Sequence, residues 1–121
     1  METNINVQKM GKLRIYLRAG DRVKSTDFIS KFFPKTVYWK LMKEARQEGI
    51  MNAHIFHTQT SYKSGGTIQH KTLEGDQSGL TVCLELVDEK EKLEAFFKKH
   101  ATVLKGKTVI FKEVEYWSTD L

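Results

Sequence analysis

The chain has 121 residues and carries 20 Lys and Arg against 15 Asp and Glu, a formal net charge of +5. Its 40% apolar and 29% charged residues are typical of one folded globular domain. No apolar run approaches the ~20 residues of a membrane span, and residues 1–8 lack the apolar core of a secretory signal. The single cysteine, Cys83, excludes an internal disulfide and a multi-cysteine zinc site. We therefore expect a cytoplasmic protein. Its positive charge could bind nucleic acid, could bind the phosphates of a nucleotide, or could have no binding role.

The first half of the chain predicts a strand, a helix and a second strand. Residues 1–11 are polar and lack periodicity, so we expect a flexible leader there. Residues 12–18 alternate apolar and polar side chains, which predicts a strand. Residues 36–48 repeat apolar side chains at helical spacing, and Gly49 is well placed to end that helix. The second strand is expected at residues 51–60.

The second half of the chain repeats this order after a polar segment. Residues 58–66 are polar and end in two glycines, which predicts a mobile loop, and residues 67–73 predict a short strand or hairpin arm. A strand is expected at 80–87 because its side chains alternate, and an acidic segment then begins a second helix. The last strand is expected at 108–117.

These elements predict one ferredoxin-like domain of the α+β class over residues 12–117, with a short C-terminal tail at 118–121. In such a βαββαβ sandwich, two helices cover one face of a mainly antiparallel sheet. The apolar side chains of the first and the 80–87 strands would lie under those helices.

The opposite face of the predicted sheet mixes charged with apolar side chains. A sheet face that meets water is usually more uniformly polar, whereas ion pairs among apolar groups are typical of a self-association surface. Scattered apolar residues on an exposed face are the plainer interpretation. We expect an oligomer interface that contains Arg14, Tyr16, Arg18, Cys83 and Glu85.

The sequence contains no Ser-His-Asp elbow, no Walker loop and no Gly-x-Gly-x-x-Gly fingerprint. His54 and His57 are three residues apart on a predicted strand, so they lie on opposite faces and do not share a metal ion. We therefore predict a protein that is not an enzyme and holds no metal or cofactor. An enzyme that uses His57 or His70 is an alternative that would require a convergent acid–base group.

Two glycine-containing segments fit the binding of an anion. Glycine lets backbone N–H groups approach a phosphate closely, and neighbouring lysines supply positive charge. The turn Lys105-Gly106-Lys107 and the polar loop at 58–66 both have this composition. They are the predicted phosphate-binding segments.

Binding of single-stranded RNA is the alternative function. RNA recognition motifs share the βαββαβ order and stack bases on aromatic side chains of the sheet, a place that Tyr16 could take. The diagnostic Lys/Arg-Gly-Phe-Gly-Phe-Val strand is absent from the sequence, and Glu85 on the same face would repel phosphates.

Three stretches of the sequence resemble a known bacterial family. The most specific is LTVCLELVDEKEKLEAF at 80–96, accompanied by KLRIYL at 12–17 and ARQEG at 45–49. Together they are similar to the PII-like bacterial domain of unknown function 190, over residues 12–116. The family's Arg-Gly-x-x-Gly-Phe-Gly stretch is replaced here by HTQTSYK at 57–63.

The resemblance implies a compact homotrimer that holds a small anionic ligand, often an adenine nucleotide, in clefts between subunits. It implies that a flexible loop near 61–71 reports the ligand state to a protein target, and that Lys107 is the best-matched phosphate-binding lysine. Nucleic acid and membrane insertion are not expected. The expected ligand-binding residues are Lys105, Gly106, Lys107, His57, Lys63, Gly65 and Gly66.

Overall fold

The computed structural model describes residues 4–23, 36–71 and 78–119. The elements are β1 (Ile5–Arg18), α1 (Val37–Gln47), β2 (Asn52–His57), β3 (Thr60–Ser61), β4 (Gln69–His70), β5 (Thr81–Asp88), α2 (Lys90–Lys99), α3 (Ala101–Leu104) and β6 (Thr108–Thr119). In those parts of the chain, every helix is too short or too polar to reach across a lipid bilayer.

The main sheet has the strand order β2-β5-β1-β6, and each neighbouring pair is antiparallel. With α1 following β1 and α2 following β5, this is the ferredoxin-like βαββαβ arrangement that the sequence predicts. The fold prediction is confirmed. Strands β3 and β4 form a separate two-stranded hairpin in the connection from β2 to β5.

The core lies between the two helices and one face of the sheet. On the central strands, every second side chain points to this face, and Ile15, Val82, Leu84 and Leu86 are completely buried. Burying one such side chain stabilises the fold by about 1.5–3 kcal/mol. The core residues are Leu13, Ile15, Leu17, Val37, Leu41, Ala45, Val82, Leu84, Leu86, Leu93, Phe96 and Leu104.

Helix α1 begins and ends close to where the sequence predicts. Its apolar stripe buries Leu41 and Ala45 completely against the sheet. No side chain caps its N-terminal end; instead the backbone N–H of Val37 donates to the backbone carbonyl of Asp21 at 2.9 Å. Gly49 follows the helix with φ of 78°, a left-handed conformation that favours glycine.

Strand β1 starts earlier than expected. The predicted flexible leader covered residues 1–11, but the chain from Ile5 to Gly11 pairs with residues 113–119 of β6. β6 likewise continues to Thr119, into the predicted tail. These paired segments extend beyond the end of β5 as a two-stranded arm. Because residues 5–9 are exposed on both faces, they lack the alternation of apolar side chains that identifies a strand in sequence.

Candidate ligand site

Several segments of the chain meet at one end of the main sheet. The C-terminal end of β1 lies beside the N-terminal ends of β5 and β6: Arg18 pairs with Thr81, and Tyr16 pairs with Thr108. Because all neighbouring strands are antiparallel, the loop after β2 and the turn at 105–107 reach this same end. The topology therefore brings together the two segments that the sequence predicts as phosphate-binding.

The loop after β2 is folded against the sheet. Its hairpin turn closes where the N–H of Gly66 donates to the carbonyl of Lys63 at 2.8 Å, and Gly65 takes a φ of 79°. The Ser61 hydroxyl accepts a hydrogen bond from the N–H of Thr81 at 3.2 Å, which fastens the hairpin to β5. The sequence predicts a mobile loop at 58–66, and in the structure Thr60 and Ser61 of that loop pair with β4 as one arm of the hairpin.

The turn before β6 sets the position of Lys107. Gly106 takes a φ of 77°, a conformation that side chains with a Cβ rarely adopt. The N–H of Lys107 donates to the carbonyl of Leu104 at 3.0 Å. The Lys107 side chain then extends to Asp21, and its Nζ lies 2.9 Å from the Oδ2 of that residue.

A cleft of about 420 Å³ opens where these segments meet. Arg18, Lys63 and Lys107 bring positive charge to its walls. Tyr16 and Tyr62 add two aromatic rings, and Tyr62 is 70% exposed. The cleft therefore combines cations with aromatic surface, which is the composition that a phosphate-bearing aromatic ligand requires.

Within the residues that the structure describes, the positive charge of this cleft is only partly compensated. Among residues 4–23, 36–71 and 78–119, Asp21 pairs with Lys107, whereas no carboxylate lies within ion-pair distance of Arg18 or Lys63. Cations that converge in a concave surface concentrate anions there. The arrangement is suited to hold an anion with more than one negative charge.

Two further clefts adjoin the first one. Arg18, Lys63 and Gly66 line a cleft of about 310 Å³ on the hairpin side. Lys105 and Gly106 line a third, of about 540 Å³, which lies between the end of α2 and β6 and shares Lys107 with the first cleft.

The predicted ligand residues are therefore divided among these surfaces. The structure brings Lys63 and Lys107 together in the first cleft, while Gly65 lines none of the three. His57 lies away from all of them, because its ring packs edge-on against Tyr38 of α1 at 5.6 Å on the helix-covered side. The prediction that His54 lies on the opposite face is supported by its pairing with Glu85.

Sequence reasoning missed part of the cleft. The sequence pattern places Arg18 in the oligomer interface, but Arg18 also lines the first two clefts, and no pattern singles out Tyr62 within the predicted loop. The signal that could have found Arg18 is its position at the end of the first strand. In a ferredoxin-like sheet, that end lies beside the start of the last strand and therefore beside the turn at 105–107. Asp21, the partner of Lys107, had no such signal.

The open face of the sheet carries a compact charge cluster, as its sequence pattern predicts. The Arg14 Nε donates to the Glu85 Oε2 at 2.9 Å, and the Lys12 Nζ lies 3.9 Å from the other carboxylate oxygen. The hydrogen bond to Glu85 raises the pKa of the Arg14 guanidinium above its ordinary value. Exposed Phe56 and Ile110 lie on the two flanking strands of this face.

Cys83 lies in the middle of the same face and is only 7% exposed. Burial raises the pKa of its thiol, and the nearby charge of Arg14 offsets only part of that effect. At neutral pH the side chain is therefore a protonated thiol, which is a poor nucleophile.

One group of carboxylates and a histidine, none of which lines the first cleft, lies at the C-terminal ends of α1 and α2. In the described parts of the chain, Glu44, Glu48 and His100 offer ligand atoms within 4.8 Å of one another. The His100 Nε2 lies 2.8 Å from the Glu48 Oε2, and the Lys99 Nζ lies 3.5 Å from the same oxygen. These contacts tie the two helix ends together.

Solved structures with this fold include CPII, a nitrogen regulatory PII-like protein from Thiomonas intermedia K12. CPII bound to ADP, AMP and bicarbonate is 12% identical, with a TM-score of 0.60 over 92% of this chain and 91% of that one. The apo form of CPII is 11% identical, with a TM-score of 0.55 over 95% and 99%. A PII-like signalling protein candidate from Thermus thermophilus is 11% identical, with a TM-score of 0.55 over 93% and 92%. At these identities the likeness is one of fold.

Sequence comparison places the chain in a family. No curated protein sequence matches it. The family DUF190, described as "Uncharacterized ACR, COG1993", matches residues 10–116, which is nearly the whole chain. This agrees with the resemblance of the 80–96 stretch and with the PII-like fold, and the chain belongs to the family DUF190.

Proposed function

We propose that this DUF190 protein is a non-catalytic, cytoplasmic regulatory protein that binds an adenine nucleotide between the subunits of a homotrimer. The observation that carries the proposal is the cleft at the end of the sheet, where Arg18, Lys63 and Lys107 lie beside Tyr16 and Tyr62.

The chemistry of this cleft fits the two halves of a nucleotide. Arg18 offers a planar guanidinium that can donate two parallel hydrogen bonds to a phosphate, and the lysines add charge without fixed geometry. The exposed ring of Tyr62 offers a flat apolar surface against which a base can stack. CPII, which shares the fold, is bound to ADP and AMP in one of its solved structures, and this supports the assignment.

The position of the cleft supports a site that is completed by a second subunit. Two of its lining residues, Tyr16 and Ile110, also lie on the open face of the sheet. If that face packs against another copy, the cleft lies at the edge of the interface, and the neighbouring subunit closes over the ligand. The mixture on this face of apolar groups with ion pairs to the buried Glu85 carboxylate favours such packing.

The β3–β4 hairpin supports a signalling role. Two residues of its turn, Tyr62 and Lys63, line the cleft, while the rest of the turn and strand β4 are exposed. A ligand that contacts these two side chains stabilises one conformation of the hairpin over others. A protein target that binds only that conformation would then distinguish the ligand-bound protein from the free one. The family resemblance implies a reporting loop at these same residues, 61–71.

Isothermal titration calorimetry with ADP, ATP and AMP tests the proposal. We expect saturable binding by the wild-type protein and at least about tenfold weaker binding by Lys107→Ala, because a charge-assisted hydrogen bond contributes about 1.5–3 kcal/mol. The matched control is Lys40→Ala on α1, which removes the same charge away from the cleft and should bind as the wild type does. Absence of binding to all three nucleotides by folded protein would refute the proposal.

The RNA-binding alternative makes a different prediction for the same protein. It requires binding to oligouridylate that weakens steeply as salt increases, and loss of that binding in Tyr16→Ala through loss of base stacking. The buried carboxylate of Glu85, on the face where RNA would lie, favours the nucleotide site instead.

A further inference from the structure

The lysine best placed to bind a phosphate already has an anionic partner within the chain. The Nζ of Lys107 donates to the Oδ2 of Asp21 at 2.9 Å. Both side chains are only partly covered, with 26% and 27% of their surface exposed. In the described part of the chain, Asp21 is the one carboxylate that pairs with Lys107.

We propose that Asp21 is an internal competitor of the ligand, which occupies Lys107 in the empty site and must release it when a phosphate binds. The inference rests on the proposed function, since it assumes that an anion enters the cleft. Its new element is that Asp21, outside the predicted site, determines the affinity of that site and its preference among anions.

The geometry allows this exchange. The pair lies at the margin of the cleft, and about a quarter of each side chain is exposed, so water screens part of the attraction between them. Arg18 and Lys63 have no carboxylate partner among the described residues, so they attract the incoming anion first. A ligand held by those two cations then competes with Asp21 for Lys107 at a high local concentration.

The same geometry discriminates among anions. The Asp21 carboxylate repels any anion near Lys107, and it leaves only if the new partner attracts the lysine more strongly. A terminal phosphate with two negative charges meets this condition, whereas a monoanion such as acetate offers the lysine no more charge than Asp21 does. We therefore assign the site to ligands that end in a dianionic phosphate group.

Asp21 also connects the cleft to the start of α1. Its N–H donates to the carbonyl of Arg18 at 3.1 Å, and its carbonyl accepts from the N–H of Val37 at 2.9 Å. Arg22, the next residue, forms a bridge with Thr36 just before the helix. The backbone of Asp21 therefore links Arg18 in the cleft to the first turn of α1. A movement of Asp21 when its side chain is released would be transmitted to both.

Asp21→Asn tests the inference because it keeps the shape of the side chain and removes its charge. Calorimetric titration with ADP should give a dissociation constant about three- to fivefold lower than that of the wild type, as expected for removal of a competing, partly exposed ion pair. Asp21→Glu, which retains the charge, should stay within about twofold of the wild type. Glu91→Gln on α2, at the opposite end of the sheet, is the matched control for loss of one negative charge.

A double variant identifies the partner of Asp21. If the carboxylate acts through Lys107, then Asp21→Asn adds no affinity in a Lys107→Ala background. Wild-type binding that Asp21→Asn leaves unchanged or weakens would overturn the competitor role while the nucleotide site stands. If neither the wild type nor folded Asp21→Asn binds ADP, ATP or pyrophosphate, the proposed function and this inference both fail.

Discussion

The Arg14 guanidinium and the Glu85 carboxylate lie 2.9 Å apart on the sheet face that the helices leave open. Glu85 is only 7% exposed, although no helix of the described chain covers it. Burial of a charge is costly unless the charge is paired, and here Arg14 and Lys12 both face the carboxylate. In the homotrimer that we propose, this charge cluster would set the position of the second subunit through complementary contacts.

Replacing Glu85 with lysine tests whether this face holds the subunits together. The variant places three cations side by side, and we expect the proposed homotrimer to dissociate at micromolar concentration in sedimentation velocity. Glu91→Lys, an exposed position on α2, is the control and should sediment as the wild type does. A Glu85→Lys protein that is folded by circular dichroism and still trimeric would remove this face from the interface.

The buried thiol of Cys83 predicts a pH dependence. Since its pKa is raised above the ordinary value of 9.0, the unfolded chain ionises the thiol at a lower pH than the folded chain does. The stability that this difference provides is complete below pH 9 and is lost as pH rises through the folded-state pKa. Urea unfolding from pH 8 to pH 10 should show a smaller loss of stability for Cys83→Ala than for the wild type.

The same burial predicts slow modification of Cys83. Iodoacetamide at pH 8 should alkylate the native protein at least about tenfold more slowly than the urea-unfolded chain, because the thiolate is scarce and covered. Equal rates in the two states would show that the Cys83 thiol is accessible to solvent in the native protein and that burial does not limit its reactivity.

Close packing rather than backbone conformation disfavours a side chain at Gly11. A Cβ at this position would lie 2.5 and 2.9 Å from two ring carbons of Phe111 and 3.0 Å from a methyl carbon of Leu93. Because the Phe111 ring is 38% exposed and can shift, we expect Gly11→Ala to reduce the free energy of unfolding by about 1 kcal/mol, measured by urea denaturation. Phe111→Leu in the same chain should recover part of this loss, whereas an unchanged midpoint in Gly11→Ala would contradict the packing.

His100 should contribute to stability through the contact between the helix ends. Its Nε2 lies 2.8 Å from the Glu48 carboxylate, and its ring lies 4.4 Å from the ring of Phe96. His100→Ala removes both contacts and should cost about 1–3 kcal/mol in the free energy of unfolding. His70→Ala, on the exposed hairpin strand β4, should change that value by less than about 0.5 kcal/mol. If His100→Ala reduces the free energy of unfolding no more than His70→Ala does, the contacts of His100 contribute nothing to stability.

The fold was predictable from the sequence wherever one face of an element is buried. Ile15 and Leu84 repeat with their neighbours at a spacing of two because the helices cover that side of the sheet. From Ile5 to Lys9 neither face is covered, so no periodic pattern exists and the strand was expected to be a leader. The strand there is specified by its pairing with β6, which is remote in sequence.

The candidate site was predictable only in part. Lys63 and Lys107 were identified because each lies near a glycine turn, a signal that is local in the chain. The contact between Lys107 and Asp21 joins residues 86 positions apart, and it depends on the register of β1 with β6. Arg18 enters the cleft for the same reason. A pattern within either segment does not contain this information.

Native mass spectrometry in the presence of ADP tests the central claim most directly, because it reports assembly and ligand count together. We predict a species of three 14.0 kDa chains that takes up ADP to a limit of three molecules. The same titration of Lys107→Ala should give a trimer with little ADP. A wild-type protein that is monomeric, or a trimer that binds no ADP, ATP or AMP at millimolar concentration, would contradict the account.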